Sequence, residues 1–175
     1  MASSNLIIRL GGLAAMLAGV VFLVDELLVL VNPVPFLDPL LVVALLLLAA
    51  GLAGFHALQK GSYGRIGRAG LYTAIAGCLA QALGLVGLLA GTAVLGWLLI
   101  VGSLGLLVGF VLYGAATLQA RVLPRWYGLV LILAMPVSLP LSVYGTALFG
   151  LSLVVLGYGS WLHRGAATGQ PSRVR

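Results

Sequence analysis

The chain has 175 residues, 62% of them hydrophobic and only 7% charged, with a formal net charge of +6. A soluble domain carries about 25% charged residues, so this composition excludes a fold with water on all sides and makes lipid the natural solvent. The lone cysteine, Cys78, excludes an intrachain disulfide and a multi-cysteine metal site; within its apolar stretch it reads as a small core residue.

One transmembrane helix takes about 20 apolar residues to cross roughly 30 Å of hydrocarbon. Six would use about 120 residues and leave short loops with a tail, so 1–175 is expected to be one all-α transmembrane domain. Arg9 ahead of an apolar run resembles a signal peptide, but no small-x-small cleavage site with a polar start follows, and the run is read as a helix. Lysine appears once against eight arginines, a bias that suits GC-rich bacterial coding.

Helix 1 is expected over about 6–31, stopping at Asn32-Pro33-Val34-Pro35. Helix 2 covers about 39–58 and ends at Gln59-Lys60-Gly61, with a lysine in the last turn and a glycine after it. Helix 3 covers about 66–90 and turns at Gly91-Thr92; helix 4 covers about 93–118. From Trp126 to Leu162 there are 37 residues, enough for two tight spans, 126–141 and 143–162, with a turn near Pro136 and Pro140. One kinked helix or a re-entrant hairpin are the alternatives. Residues 165–175 form a tail.

Charge favours six spans. Arg9, Lys60, Arg65, Arg68, Arg121, Arg125, Arg164, Arg173 and Arg175 then share one side, with Asp25, Glu26 and Asp38 toward the other. The positive-inside rule makes the basic side cytoplasmic, with both termini there. Basic residues spread over loops and tails form no folded basic face, which disfavours nucleic acid. Their expected role is topology and contact with anionic headgroups, with Lys60, Arg65, Arg68, Arg121 and Arg125 the candidates. Trp126, Tyr127, Tyr158 and Trp161 are placed at the inner interface and Trp97 near the outer one.

The ends of helices 2 and 4, Ala57-Leu58-Gln59-Lys60 and Thr117-Leu118-Gln119-Ala120-Arg121, echo each other. Three parallel hairpins or independent helix ends both explain the echo. Glycine, 25 of 175 residues, is the more informative pattern. Gly70, Gly77, Gly84 and Gly91 recur every seven residues; Gly102, Gly105 and Gly109 mark helix 4, and Gly11, Ala15 and Gly19 mark helix 1. Small residues let helices approach closely in lipid, so helices 1, 3 and 4 are expected to form a tightly packed, glycine-rich core, with a dimer face as the rival.

Asp25 and Glu26 precede a further apolar turn, Leu27 to Val31. An intramembrane carboxylate is costly and marks a functional site unless helix 1 slides until both acids mark the outer surface. Neighbouring residues point about 100° apart on a helix, so at most one acid is expected to face the bundle squarely. Gln81 and Tyr144 join them as candidate ion or ligand contacts, with Asn32, Asp38, Thr92, Ser138, Ser142 and Thr146 as nearby polar groups. An interhelical hydrogen bond is the plainer role for Gln81.

Gly61, Gly64, Gly67 and Gly70 could cradle a headgroup phosphate, but no phosphate-loop motif accompanies them and a flexible loop is the plainer reading. His56 and His163 lack a second ligand at helical spacing. No metal or cofactor site is expected, and a hydrolytic triad is hard to assemble from three acids, two histidines and one cysteine.

Leu58-Gln59-Lys60-Gly61-Ser62-Tyr63-Gly64-Arg65-Ile66-Gly67-Arg68-Ala69-Gly70 leads into a glycine- and alanine-rich helix, and Leu123-Pro124-Arg125-Trp126 opens a later one. This layout resembles a broad group of small, uncharacterised bacterial multi-helix integral membrane proteins. The resemblance implies the bacterial inner membrane and carries no functional residues. The sequence therefore favours a non-enzymatic accessory subunit of a membrane assembly or a homo-oligomer, with a small proton- or cation-coupled transporter or channel using Asp25 or Glu26 as the alternative.

Overall fold

Backbone polar groups surrounded by hydrocarbon must pair within their own segment, which makes each long apolar run helical. The computed structural model describes residues 2–31, 38–59, 64–120, 123–138 and 143–162, with the backbone alone at 2–5, 38 and 143. Its helices are α1 (Ala2–Val31), α2 (Asp38–Gln59), α3 (Arg65–Leu89), α4 (Trp97–Ala120), α5 (Arg125–Ser138) and α6 (Val143–Leu162), with a 3-10 turn, Ala93–Gly96, leading into α4. Asn32, Lys60, Arg121, Pro140, Ser142, His163, Arg164 and the tail lie outside the described residues.

Among the described residues, five helices are long and apolar enough to cross a membrane, which supports a multi-pass membrane protein. The remaining helix, α5, is shorter than a full span as described. It has 14 residues, about 21 Å at 1.5 Å per residue, against roughly 30 Å of hydrocarbon. Its expected end near residue 141 lies outside the described residues. Pro136 has no N–H to give the Ile132 carbonyl, and the Ser138 hydroxyl donates to the Met135 carbonyl at 2.8 Å. Ser138 then meets Gly145, and Tyr127 meets Gly159. These contacts run antiparallel, so this region forms two helices and not one kinked helix.

The neighbours follow chain order: α2 lies against α1 and α3, α4 against α3 and α5, and α6 against α5 and α1. The six helices thus close into a ring. The expected association of helices 1, 3 and 4 is corrected here: α3 pairs with α4, whereas α1 sits between α2 and α6. Three equal hairpins are not seen either, because α1–α6 is among the most extensive seams and α5–α6 the least. Between its two end contacts the α5–α6 seam opens outward as an apolar groove of about 370 Å³, walled by Leu129, Leu133, Val137 and Leu148.

Several close approaches between helices fall at glycines. Gly11 of α1 meets Gly54 of α2 backbone to backbone, and Gly12 of α1 meets Gly157 of α6. Gly70, Gly77 and Gly84 all lie along α4, where a Cβ on Gly77 would stand 2.6 Å from the Leu106 nitrogen. Gly91 leaves that row, with φ at 72°. The Gly91 N–H donates to Leu88 O at 2.9 Å and the Thr92 N–H to Gly87 O at 2.8 Å, the hydrogen-bond pair of a Schellman motif. A Cβ there meets no neighbour but disfavours the left-handed backbone. Gly91→Ala is therefore expected to cost about 1–2 kcal/mol, seen as a lower midpoint in thermal unfolding.

The ring has one basic end. The Arg9 guanidinium lies 5.7 Å from the Trp161 ring centroid, joining the start of α1 to the end of α6. Arg65 and Arg68 open α3 and Arg125 opens α5 at that same end, all three exposed. Asp25 and Glu26 lie in the opposite half of α1. Trp126, Tyr158 and Trp161 are exposed, and Tyr127 is buried.

Candidate functional site

The buried face of α1 reads Gly11, Gly12, Ala15, Ala18, Gly19, Phe22, Asp25, Glu26. It is wide because two helices flank it. Gly11 and Ala15 meet α2, while Gly12 and Gly19 meet α6. Seven-residue steps carry the first row from Gly11 through Ala18 to Asp25, and the second from Gly12 through Gly19 to Glu26. Both acids are consequently buried, Asp25 at 5% and Glu26 at 7% exposure. The expectation that only one would face the bundle held for a helix with a single neighbour, and α1 has two.

The Glu26 side chain interacts with that of Thr146 on α6, as its row predicts. Thr146 in turn lines a cavity of about 260 Å³ to which all six helices contribute. Phe22 comes from α1, Leu45 from α2 and Gln81 from α3; Ser103 and Leu106 come from α4, Met135 and Ser138 from α5, and Phe149 accompanies Thr146 on α6. Every one of these positions lies in the half of its helix away from the basic end.

Hydrogen bonds orient much of the polar lining. The Gln81 amide donates to the Ser103 hydroxyl at 2.5 Å, and that hydroxyl donates to the Leu99 carbonyl at 2.8 Å. Ser138 is bound to its own helix. The other walls are aromatic, aliphatic and thioether.

Toward the basic end the cavity is closed by rings. Phe22 and Phe149 pack edge to face with centroids 5.4 Å apart, and Phe110 lies 5.5 Å from Phe149. Beyond this layer is a second polar group that sequence reasoning missed. The Thr117 hydroxyl reaches the Tyr113 carbonyl at 2.9 Å and the Gln59 side-chain oxygen at 3.2 Å. Tyr113, Thr117, Gln59 and Tyr127 are all buried. Gln59 and Gln119, equivalent in the echo between helix ends, have different surroundings, for Gln119 is exposed.

The structure thus joins Thr146, Ser138 and Gln81 around one space, with Glu26 beside Thr146 and Asp25 on the neighbouring row. It leaves Tyr144 apart, exposed at 69%, and Thr92 exposed beyond the end of α3. Of the headgroup candidates, Arg65, Arg68 and Arg125 are exposed, and Lys60 and Arg121 lie outside the described residues. Asp38 opens α2. Among the described residues no three histidine, cysteine or acidic side chains come together as a metal cluster.

Cys78 is fully buried in α3. A membrane-permeant maleimide is expected to leave it unlabelled in the folded protein and to label it on unfolding; rapid labelling of folded protein would show that the α3 environment opens readily. The chain matches no protein-family model, no curated protein and no solved structure.

Proposed function

We propose that this chain is a small integral membrane transporter or channel for cations or protons, with Glu26 as its charged site. The observation that carries this reading is a buried carboxylate beside Thr146, which stands in the wall of a cavity shared by all six helices. Withdrawing a carboxylate from water costs several kcal/mol, and a helix ring held only for packing gains nothing from that cost. A purely structural subunit, the reading composition favoured, has no use for this arrangement.

Two polar layers, one on each side of the Phe22, Phe110 and Phe149 rings, suit a path closed at its middle. The glycine contacts suit a bundle whose seams shift as rigid units. In the bilayer, the basic end would face the cytoplasm by the positive-inside rule, placing both termini inside and the cavity in the outer half. A bacterial inner membrane suits the composition, and exposed Arg65, Arg68 and Arg125 suit anionic headgroups.

Currents recorded from proteoliposomes on a solid-supported membrane test this, using concentration steps in protons, sodium, potassium and alkylammonium ions. The wild type is expected to give a current with at least one of them that Glu26→Gln lacks. Silence across the whole set would overturn the reading.

A further inference from the structure

The chemistry of the cavity narrows what it holds. We propose that it binds a small monovalent organic cation with an apolar body, such as an aryl- or alkylammonium ion; this rests on the cation reading above. Three observations converge on that class. The first is size. A cavity of about 150 Å³ accommodates benzene, and drug-sized ligands use roughly 300–1,000 Å³. At about 260 Å³, this one suits a single ring or a few short alkyl groups carrying one charge.

The second is the shortage of oxygen ligands. Hard inorganic cations strip their water only for some 6–8 oxygens set at close range. The lining here offers four side-chain oxygens, those of Gln81, Ser103, Ser138 and Thr146, and hydrogen bonds hold the first three side chains in place. Phe22, Phe149, Leu45, Leu106 and Met135 make up the rest of the wall. An ion that keeps no ordered water and wants apolar contact fits such a surface, and aromatic faces attract quaternary ammonium groups.

The third is the sign of the charge. Glu26 meets the wall through Thr146, with Asp25 buried on the adjacent row of the same helix. Arg9, Arg65, Arg68 and Arg125 all stand at the far end of the ring. An anion would find no counter-charge here, and a neutral solute would leave the carboxylate without a purpose.

The test is binding to the purified full-length protein in detergent by isothermal titration calorimetry. Benzyltrimethylammonium is the probe and neopentylbenzene its neutral isostere. Benzyltrimethylammonium is expected to bind, sodium at equal ionic strength to leave that binding unchanged, and Glu26→Gln to weaken it about thirtyfold or more. Leu45→Phe, which fills the cavity without altering charge, is expected to weaken the ammonium ion and neopentylbenzene alike. Equal binding of both probes with no response to Glu26→Gln would overturn the proposal, as would absence of ammonium binding to folded wild type. A sodium or proton current without ammonium binding sinks this substrate class and spares the transport reading. Glu26-dependent ammonium binding without any current does the reverse.

Discussion

Glu26→Gln is expected to abolish cation current while leaving the unfolding midpoint in detergent unchanged or raised. The two outcomes separate because the carboxylate stands in two different balances. For the fold, Glu26 is a buried acid on the row of α1 that faces α6. Its partner is a neutral hydroxyl, which gives back only part of a desolvation cost of several kcal/mol. Glutamine keeps the shape and a side-chain oxygen for Thr146, and it removes the charge. For function, losing the charge removes the attraction that brings a cation into an otherwise apolar space, about 2–5 kcal/mol when one partner of a buried charge pair is deleted. That corresponds to a factor of at least about 30 in affinity. A structural carboxylate would behave in the opposite way, with a lower midpoint and current reduced only as far as folded protein is lost. Asp25→Asn is the informative companion. Asp25 lies on the α2-facing row, so its substitution is expected to reduce the current less than Glu26→Gln does.

The helices and the separation of charge were legible in the sequence because each is written locally. Apolar runs of about 20 residues fix the long helices. The Gly91 turn was also local, since its hydrogen bonds join residues five or fewer apart. What the sequence hid is whatever depends on which helix lies beside which. Nothing local says that α1 closes against α6, and without that seam Glu26 and Thr146 have no reason to meet. The same ignorance produced the expectation that only one of two adjacent acids would be buried, which presumes one neighbour for α1.

The missed inner cluster has a different cause. Tyr127 follows Trp126 and Arg125, a setting in which a tyrosine reads as an interfacial anchor. Only Trp126 takes that outward role; Tyr127 turns inward and meets Gly159. Tyr113 and Thr117 lie one helical turn apart on α4, and their spacing signals a shared face. It does not reveal that the face turns inward, because a span apolar all round has no polar side against which to orient.

The second large effect is expected at Gly77, where stability and the cavity depend on one contact. A Cβ at Gly77 would come within 2.6 Å of Leu106 N, 2.8 Å of Gly102 O and 2.9 Å of Gly105 C, all backbone atoms of α4. Backbone cannot rotate aside as a side-chain tip can, so Gly77→Ala must push α3 and α4 apart. Overpacking of this kind costs about 1–3 kcal/mol, occasionally more, and Gly77→Val is expected to exceed that range. Gly64→Ala is the control, since a Cβ there meets nothing within 4 Å; its unfolding midpoint should match the wild type. The Gly77 contact also bears on the site. Gln81 lies one turn along α3, and its 2.5 Å hydrogen bond to Ser103 crosses the same seam. Spreading that seam breaks the bond and reshapes one wall of the cavity. Gly77→Ala is therefore expected to weaken benzyltrimethylammonium and neopentylbenzene together, in contrast to Glu26→Gln, which acts on the charged probe alone. An unfolding midpoint for Gly77→Ala equal to that of Gly64→Ala would mean that α3 and α4 do not meet at Gly77, and the cavity wall drawn from them would have to be redrawn.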